Sequence, residues 1–256
     1  MPVMFQLKEA KNKLKSIRKV ILIGSGKGGV GKSFVATGLA LALSRAGHST
    51  GLLDVDVHGS SLPKYLEVKG PIKGGKDGLE PKAVDGLKVM SVGFFTGDRP
   101  APLKGGEKQA LITQLFALTN WGEMEYLVVD LPPGTGDELL SSFRLFHGRC
   151  GLILVSTPSK RAIDIVSRLS KLAAQEGVPV KGVVLNMSHM TNGEKKLYPL
   201  GKISQKYLEK TLGTKVLAEI PLEPRVNTEE MRTLIEEGGE VKSAFDRVVD
   251  VILAQT

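Results

Sequence analysis

"GSGKGGVGKS", residues 24–33, joins two unlike stretches of chain. Before it runs KVILIG (19–24), a short apolar run rich in β-branched residues. After it runs FVATGLALALSRAG (34–47), which has helical spacing and ends in Gly47, a helix C-cap. A strand, a glycine-rich turn and a helix in that order aim backbone N–H groups and the positive end of a helix at one point. Gly26, Gly31, Lys32 and Ser33 fall in the Gly-x-x-x-x-Gly-Lys-Ser spacing of a phosphate-binding loop. The glycines at 26, 28, 29 and 31 admit close backbone approach and positive φ. Lys32 would neutralise the β- and γ-phosphates, and the Ser33 hydroxyl would bind Mg²⁺. The expected nucleotide site therefore runs through Gly26, Lys27, Gly28, Gly29, Val30, Gly31, Lys32, Ser33 and Phe34. One lysine suffices for such a loop, and this one carries a second, Lys27.

Outward from this turn, apolar runs alternate with helical patterns. TGLLDVDV (50–57), LKVMSVGFF (87–95), YLVVDL (126–131), GLILVST (151–157), VPVKGVVLNM (178–187) and TKVLAEIPL (214–222) read as strands. GGEKQALITQLFALTN (105–120) and SKRAIDIVSRLSKLAAQEG (159–177) read as helices, the second capped by Ser159 and ended by Gly177. Near-continuous apolar strands between helices predict a doubly wound, mostly parallel α/β sheet with helices on both faces. The 256 residues are expected to form one domain, with a basic leading segment at 1–18 and a surface loop or hairpin at 69–86. Residues 188–202 are polar and follow a strand end, which places them on the working face of such a sheet.

A phosphate loop needs acidic partners. Asp130 ends an apolar strand, as an aspartate holding a Mg²⁺ shell does; the alternative is a cap for the following turn. Asp54 and Asp56 close GLLDVDV, and their spacing predicts that both lie on one face of the strand. One would contact the Mg²⁺ shell (Asp54) and the other would orient water (Asp56), or one of them is a structural turn residue.

Taken together these residues resemble a known family. KGGVGKS looks like the deviant phosphate loop of the MinD/ParA/nitrogenase-iron-protein superfamily. LLDVDVHGSSLPKYL (52–66) and NWGEMEYLVVDLPPGTGDELL (120–140) resemble its Mrp/ApbC branch, and STPSK, VLNMS and IPLEPRV follow in order. The resemblance implies a homodimeric, Mg²⁺-dependent ATPase with ATP at the interface. Lys27 would reach the partner's ATP, and Lys27, Lys32 and Asp56 would be the catalytic set. Asn186 would bond the adenine edge, and the Pro221–Arg225 loop, including Glu223, would wrap the base. Residues 131–137, with Pro133, Gly134 and Asp137, would form a γ-phosphate switch, although Asp137 equally reads as a helix cap. The branch consists of iron–sulfur cluster carriers that act on client proteins. They hold a bridging cluster through a Cys-x-x-Cys pair after the NMS segment. Here that segment reads NMSHMTNGEKKLYPLG, without cysteine, so the expected function is an iron–sulfur cluster carrier or assembly factor, or a cluster-less descendant of one that docks the same clients.

The single cysteine, Cys150, opens an apolar strand and reads as a buried, inert thiol. No disulfide can form within the chain, and no apolar run reaches the roughly 20 residues of a membrane span, so a cytoplasmic protein is expected. His189 reads as a polar surface residue. The net charge of +8 suits a nucleotide, nucleic acid or anionic lipid, or is simply a solvated basic surface. No specific nucleic-acid partner is expected. Met4, Leu7, Leu14 and Ile17 predict a leading helix packed on its own domain rather than on a membrane, and VKSAFDRVVDVILAQT predicts a closing core helix. A positioning or regulatory ATPase of the MinD/ParA kind, acting on membrane, DNA or a partner protein, is the alternative function.

Overall fold

The computed structural model describes residues 3–57, 59, 62–68, 70–96, 105–192, 195–227 and 231–255. In chain order the elements are α1 (Val3–Lys15), β1 (Ile17–Ser25), α2 (Lys32–Arg45), β2 (Thr50–Asp54), α3 (Leu62–Tyr65), β3 (Lys73–Gly75), β4 (Gly78–Glu80), β5 (Lys82–Val84), β6 (Leu87–Ser91), α4 (Gly93–Thr96), α5 (Gly105–Leu118) and β7 (Met124–Asp130). There follow α6 (Asp137–Leu145), β8 (Cys150–Ser156), α7 (Lys160–Gln175), β9 (Val180–Leu185), β10 (Met190–Asn192), β11 (Lys195–Leu197), α8 (Gln205–Leu212), β12 (Val216–Glu219), a 3₁₀ turn (Pro224–Asn227), α9 (Met231–Glu236) and α10 (Gly239–Ala254).

Eight strands form one sheet in the order β12-β9-β8-β1-β7-β2-β6-β5. Its pairs are parallel except at the edge, where β5 runs antiparallel to β6. Alternation along β1 explains why the strand is apolar throughout. Val20 and Leu22 face the layer containing α1, α5, α6, α7 and α8. Ile21 and Ile23 face α2, α9 and α10. The chain leaves β1 toward β2 on one side and crosses from β7 to β8 on the other. The phosphate loop thus lies at the point where strand order reverses, the usual place for a ligand in an open α/β sheet.

Local chemistry accounts for many boundaries. Helix α2 ends in paired bonds, from Gly47 N–H to Ser44 O and from His48 N–H to Leu43 O, with Gly47 at φ 90°. Helix α7 ends the same way at Gly177. Trp121 is fully buried between α5 and β7, where its indole N–H donates to Phe116 O at 3.1 Å. The closing helix is a core helix as expected, burying Val241, Ala244, Phe245, Val248, Val249 and Ile252.

Several expectations need correction. Strand β2 stops at Asp54, so Asp56 lies beyond it and the two aspartates do not share a strand face. The run 87–95 divides into β6 and the short helix α4. The segment 69–86, expected as a loop or hairpin, contains a hairpin and one further strand; its residue 69 lies outside the described residues. It forms the β3–β4 hairpin and then β5, which joins the main sheet through a two-residue turn. Asp85 (φ 49°) and Gly86 (φ 80°) make that turn, whose left-handed geometry suits an Asp-Gly pair. Ser159 stands at the N-cap of α7 without a side-chain capping bond. Helix α1 packs on α5, but it buries Gln6, Ala10 and Leu14 while Leu7 is 42% exposed and Ile17 begins β1.

Candidate nucleotide site

The loop after β1 is held open from below. Gly29 and Gly31 take φ of 75° and 79°, conformations costly for residues with a Cβ. Around Gly28 and Gly29 an added Cβ would meet nothing within 4 Å, so the loop borders open space at both positions. At Gly31 a Cβ would fall 2.1 Å from Asn186 Nδ2. Gly31 is the N-cap of α2 and makes no side-chain capping bond to the first N–H groups of this 14-residue helix.

Three acidic residues meet this loop. Asp54 and Asp130 are register partners at the ends of β2 and β7, and Asp130 pairs with Ile23 of β1. The buried ammonium of Lys32 donates to Asp130 Oδ1 at 2.6 Å and lies 3.4 Å from Asp56 Oδ2. Burial alone would pull the Lys32 ammonium down. Asp130 and then Asp56 outweigh it, and the net direction is up. Complete burial pushes the Asp130 carboxyl above its ordinary range against the pull of Lys32 and a weaker polar influence from Ser33. Its Oδ2 is buried without a hydrogen-bond partner among the described residues. Such an orphaned carboxylate oxygen fits a hard cation with oxygen ligands. Asp54 is differently employed: Oδ1 accepts from Asp56 N–H at 2.9 Å and Oδ2 from Ser91 Oγ at 2.8 Å.

Lys27 is the opposite of Lys32. It is exposed, and its ammonium has no hydrogen bond or ion pair with a described residue. Val30 and Phe34, by contrast, point into the core; Phe34 is 4% exposed and packs against Tyr65 and Phe245. Their buried side chains are not exposed to a ligand in this loop. The segment after β7 touches the loop's own strand, with Gly134 N–H donating to Ser25 O at 2.9 Å. Pro133 is half-buried there. Asp137 is the first residue of α6 and Gly136 occupies the N-cap, so Asp137 is not the cap.

Asn186 is buried, and its Nδ2 donates to Val30 O at 2.9 Å, tying the end of β9 to the phosphate loop. Residues 186–189 are zippered to the segment after β12, through Ser188 N–H to Ile220 O and Leu222 N–H to His189 O. Beyond the buried Pro221, Arg225 clasps Glu223 (Nε to Oε1, 3.1 Å) and reaches Glu237 at 3.2 Å.

His189 overturns the surface reading. It is 3% exposed, with Nδ1 2.8 Å from Ser188 Oγ and Nε2 donating to Glu240 Oε2 at 2.8 Å. Glu240 also accepts from Thr191 Oγ1 and Lys196 Nζ, and these bonds hold its carboxyl down at about 2. Sequence reasoning missed Glu240, Ser91 and Ser25. Each acts on a partner distant in sequence or through the backbone, which leaves no local pattern.

A strand–loop–helix phosphate cradle at the reversal point of a parallel sheet, with a buried lysine–aspartate pair behind it, defines a P-loop nucleotide-binding protein. The family described as NUBPL iron-transfer P-loop NTPase (ParA) matches residues 16–253, and the chain belongs to it. It is 39% identical over 220 residues to the iron-sulfur cluster carrier protein of Saccharolobus solfataricus, covering 84% of this chain and 74% of that one. It is 37% identical over 242 residues to the human cytosolic Fe-S cluster assembly factor NUBP2, covering 91% and 88%. Among solved structures, a nucleotide-binding protein from Archaeoglobus fulgidus in complex with ADP superposes with a TM-score of 0.80 at 29% identity, covering 93% of this chain and 96% of that one.

Proposed function

We propose that the chain is an ATP-hydrolysing switch in iron–sulfur cluster assembly that closes as a homodimer around ATP and serves client proteins without a bridging cluster of its own. The observation that carries this reading is the contrast between the two loop lysines. Lys32 is buried against Asp130 and Asp56, while Lys27 is exposed and pairs with no described residue. Lys32 and the N–H groups at the start of α2 bind the β- and γ-phosphates. Lys27 crosses to the ATP of the second copy and neutralises charge that grows there during transfer.

Ser33 and the orphaned Oδ2 of Asp130 would hold Mg²⁺, which supplies charge neutralisation between the β- and γ-phosphates. Asp56 accepts a hydrogen bond from the attacking water. The water oxygen bonds to the γ-phosphorus, the bond to the β–γ bridging oxygen breaks, and the water's proton leaves with inorganic phosphate. Asp54 supports Asp56 through its N–H rather than binding the metal. Gly134, bonded to Ser25 O, releases and re-forms that contact as the γ-phosphate comes and goes. Asn186 offers its remaining amide oxygen to the adenine amino group, and Pro221, Glu223 and Arg225 enclose the base.

The names of the relatives support the cargo class, and that of NUBP2 supports a cytosolic setting. Among the described residues no helix is long and apolar enough to cross a membrane. The cluster itself does not fit this chain. Cys150 begins β8 at the end of the sheet away from the phosphate loop, and burial pushes its thiol up to about 11. Anaerobic reconstitution with iron and sulfide tests this point. The expected product has no stoichiometric cluster, and Cys150→Ser leaves ATP turnover unchanged. A cluster lost in Cys150→Ser would refute the cluster-free reading.

A further inference from the structure

At the other end of the sheet a cavity of about 470 Å³ opens where β1, β8 and β9 begin. Four cations stand around it: Arg18 and Lys19 from β1, Arg149 from the turn before β8, and Lys181 from β9. No aspartate or glutamate is among its lining residues. Its floor is apolar, made by Ile21 and Ile153 of the sheet and Ile252 of α10. Elsewhere on this protein, by contrast, cations such as Arg45 and Lys108 lie against carboxylates.

The placement of the cations is built into the strands. The pairing of β8 with β9 slips between Leu152 and Ile153, opposite Lys181, a bulge that re-aims the side chain. Gly151 makes room for it: a Cβ there would sit 2.7 Å from Lys181 Cγ and 2.8 Å from its Cε. Lys181 therefore lies across bare backbone, and its ammonium has no hydrogen bond or ion pair with a described residue. Arg149 is anchored by a bond to Ile17 O at 2.9 Å, and Lys19 by one to Gln255 O at 3.2 Å. Glu125 approaches Arg18 only at 3.9 Å. Burial lowers the Lys19 pKa, and crowding by Lys181 and Arg18 lowers it further, so the cations strain against one another.

We infer that this cavity is a second binding site, separate from the nucleotide cradle, for an organic anion with a phosphate head and a short apolar body. The cations take the head and the isoleucine floor takes the body. A free phosphate monoester and a lipid headgroup share this chemistry.

The test uses the full chain with its nucleotide site saturated by Mg-ADP, so that the cradle cannot take up the probe. Calorimetric titration with n-hexyl phosphate is expected to show one site, about tenfold tighter than for inorganic phosphate because the floor adds apolar burial. Lys181→Gln and Arg149→Gln should each weaken it about tenfold with ADP affinity unchanged, while Lys8→Gln on α1 stays within about twofold. Sedimentation with phosphatidylglycerol vesicles that is lost in Lys181→Gln assigns the headgroup as the source, whereas titration binding without sedimentation assigns a soluble monoester. Absence of a saturable site for both hexyl phosphate and vesicles overturns the inference, as does binding indifferent to both substitutions or equally sensitive to Lys8→Gln.

Discussion

The Lys32 ammonium lies 2.6 Å from Asp130 Oδ1, and both groups are almost completely buried, at 6% and 0% exposure. An ion pair so deep is worth little in net stability while intact, but losing one member strands the other. Lys32→Ala should therefore abolish nucleotide binding and also lower unfolding stability at neutral pH by about 3 kcal/mol. Lys32→Met combined with Asp130→Leu should recover most of the stability and none of the binding. Urea unfolding and ADP titration measure the two effects separately. The sign with pH follows from the raised Lys32 value: its contribution is fully present below the ordinary 10.5 and is lost as pH rises through the folded value.

Gly31 and Asn186 form a second dependent pair. Gly31→Ala brings a methyl group to 2.1 Å from Asn186 Nδ2 and forces alanine to φ 79°. The expected cost to nucleotide affinity is about tenfold to a hundredfold, from strain of roughly 1–3 kcal/mol. Asn186→Ala in the same chain should relieve the clash but not the φ strain, so affinity recovers only in part. Full recovery would mean that the contact alone mattered.

Glu240 gives a pH prediction. Bonds from Thr191, His189 and Lys196 hold its carboxyl at about 2, below the ordinary 4.5. A depressed carboxylate contributes stability above its unfolded value and loses it as pH falls through its folded value. The urea midpoint of Glu240→Gln should lie below that of the unsubstituted protein above pH 4.5, and the gap should close between 4.5 and about 2. A gap that persists at pH 2 would show that Glu240 acts by packing rather than by charge.

The phosphate loop was legible because its information is local. Glycine spacing, one lysine and the flanking strand and helix specify it within about one supersecondary unit. Gly47 and Gly177 were readable for the same reason. Asp56 was misplaced because alternation was extended past Asp54, where a bond from Asp56 N–H to Asp54 turns the chain out of the strand. Strand β5 is three residues long and half-exposed, so only its Asp85-Gly86 turn marked it. His189 was misread because Glu240, which makes its burial tolerable, lies 51 residues further along the chain. Nothing in NMSHMTNGEKK announces that contact.

Lys27 tests the account most directly. ATP turnover per chain is to be measured against protein concentration for the unsubstituted protein and for Lys27→Ala. The account predicts turnover that rises with concentration in the first and a flat, low rate in the second, with ATP affinity unchanged within about threefold because Lys32 and the loop N–H groups remain. Turnover in Lys27→Ala equal to that of the unsubstituted protein, at concentrations where both are dimeric, would contradict it.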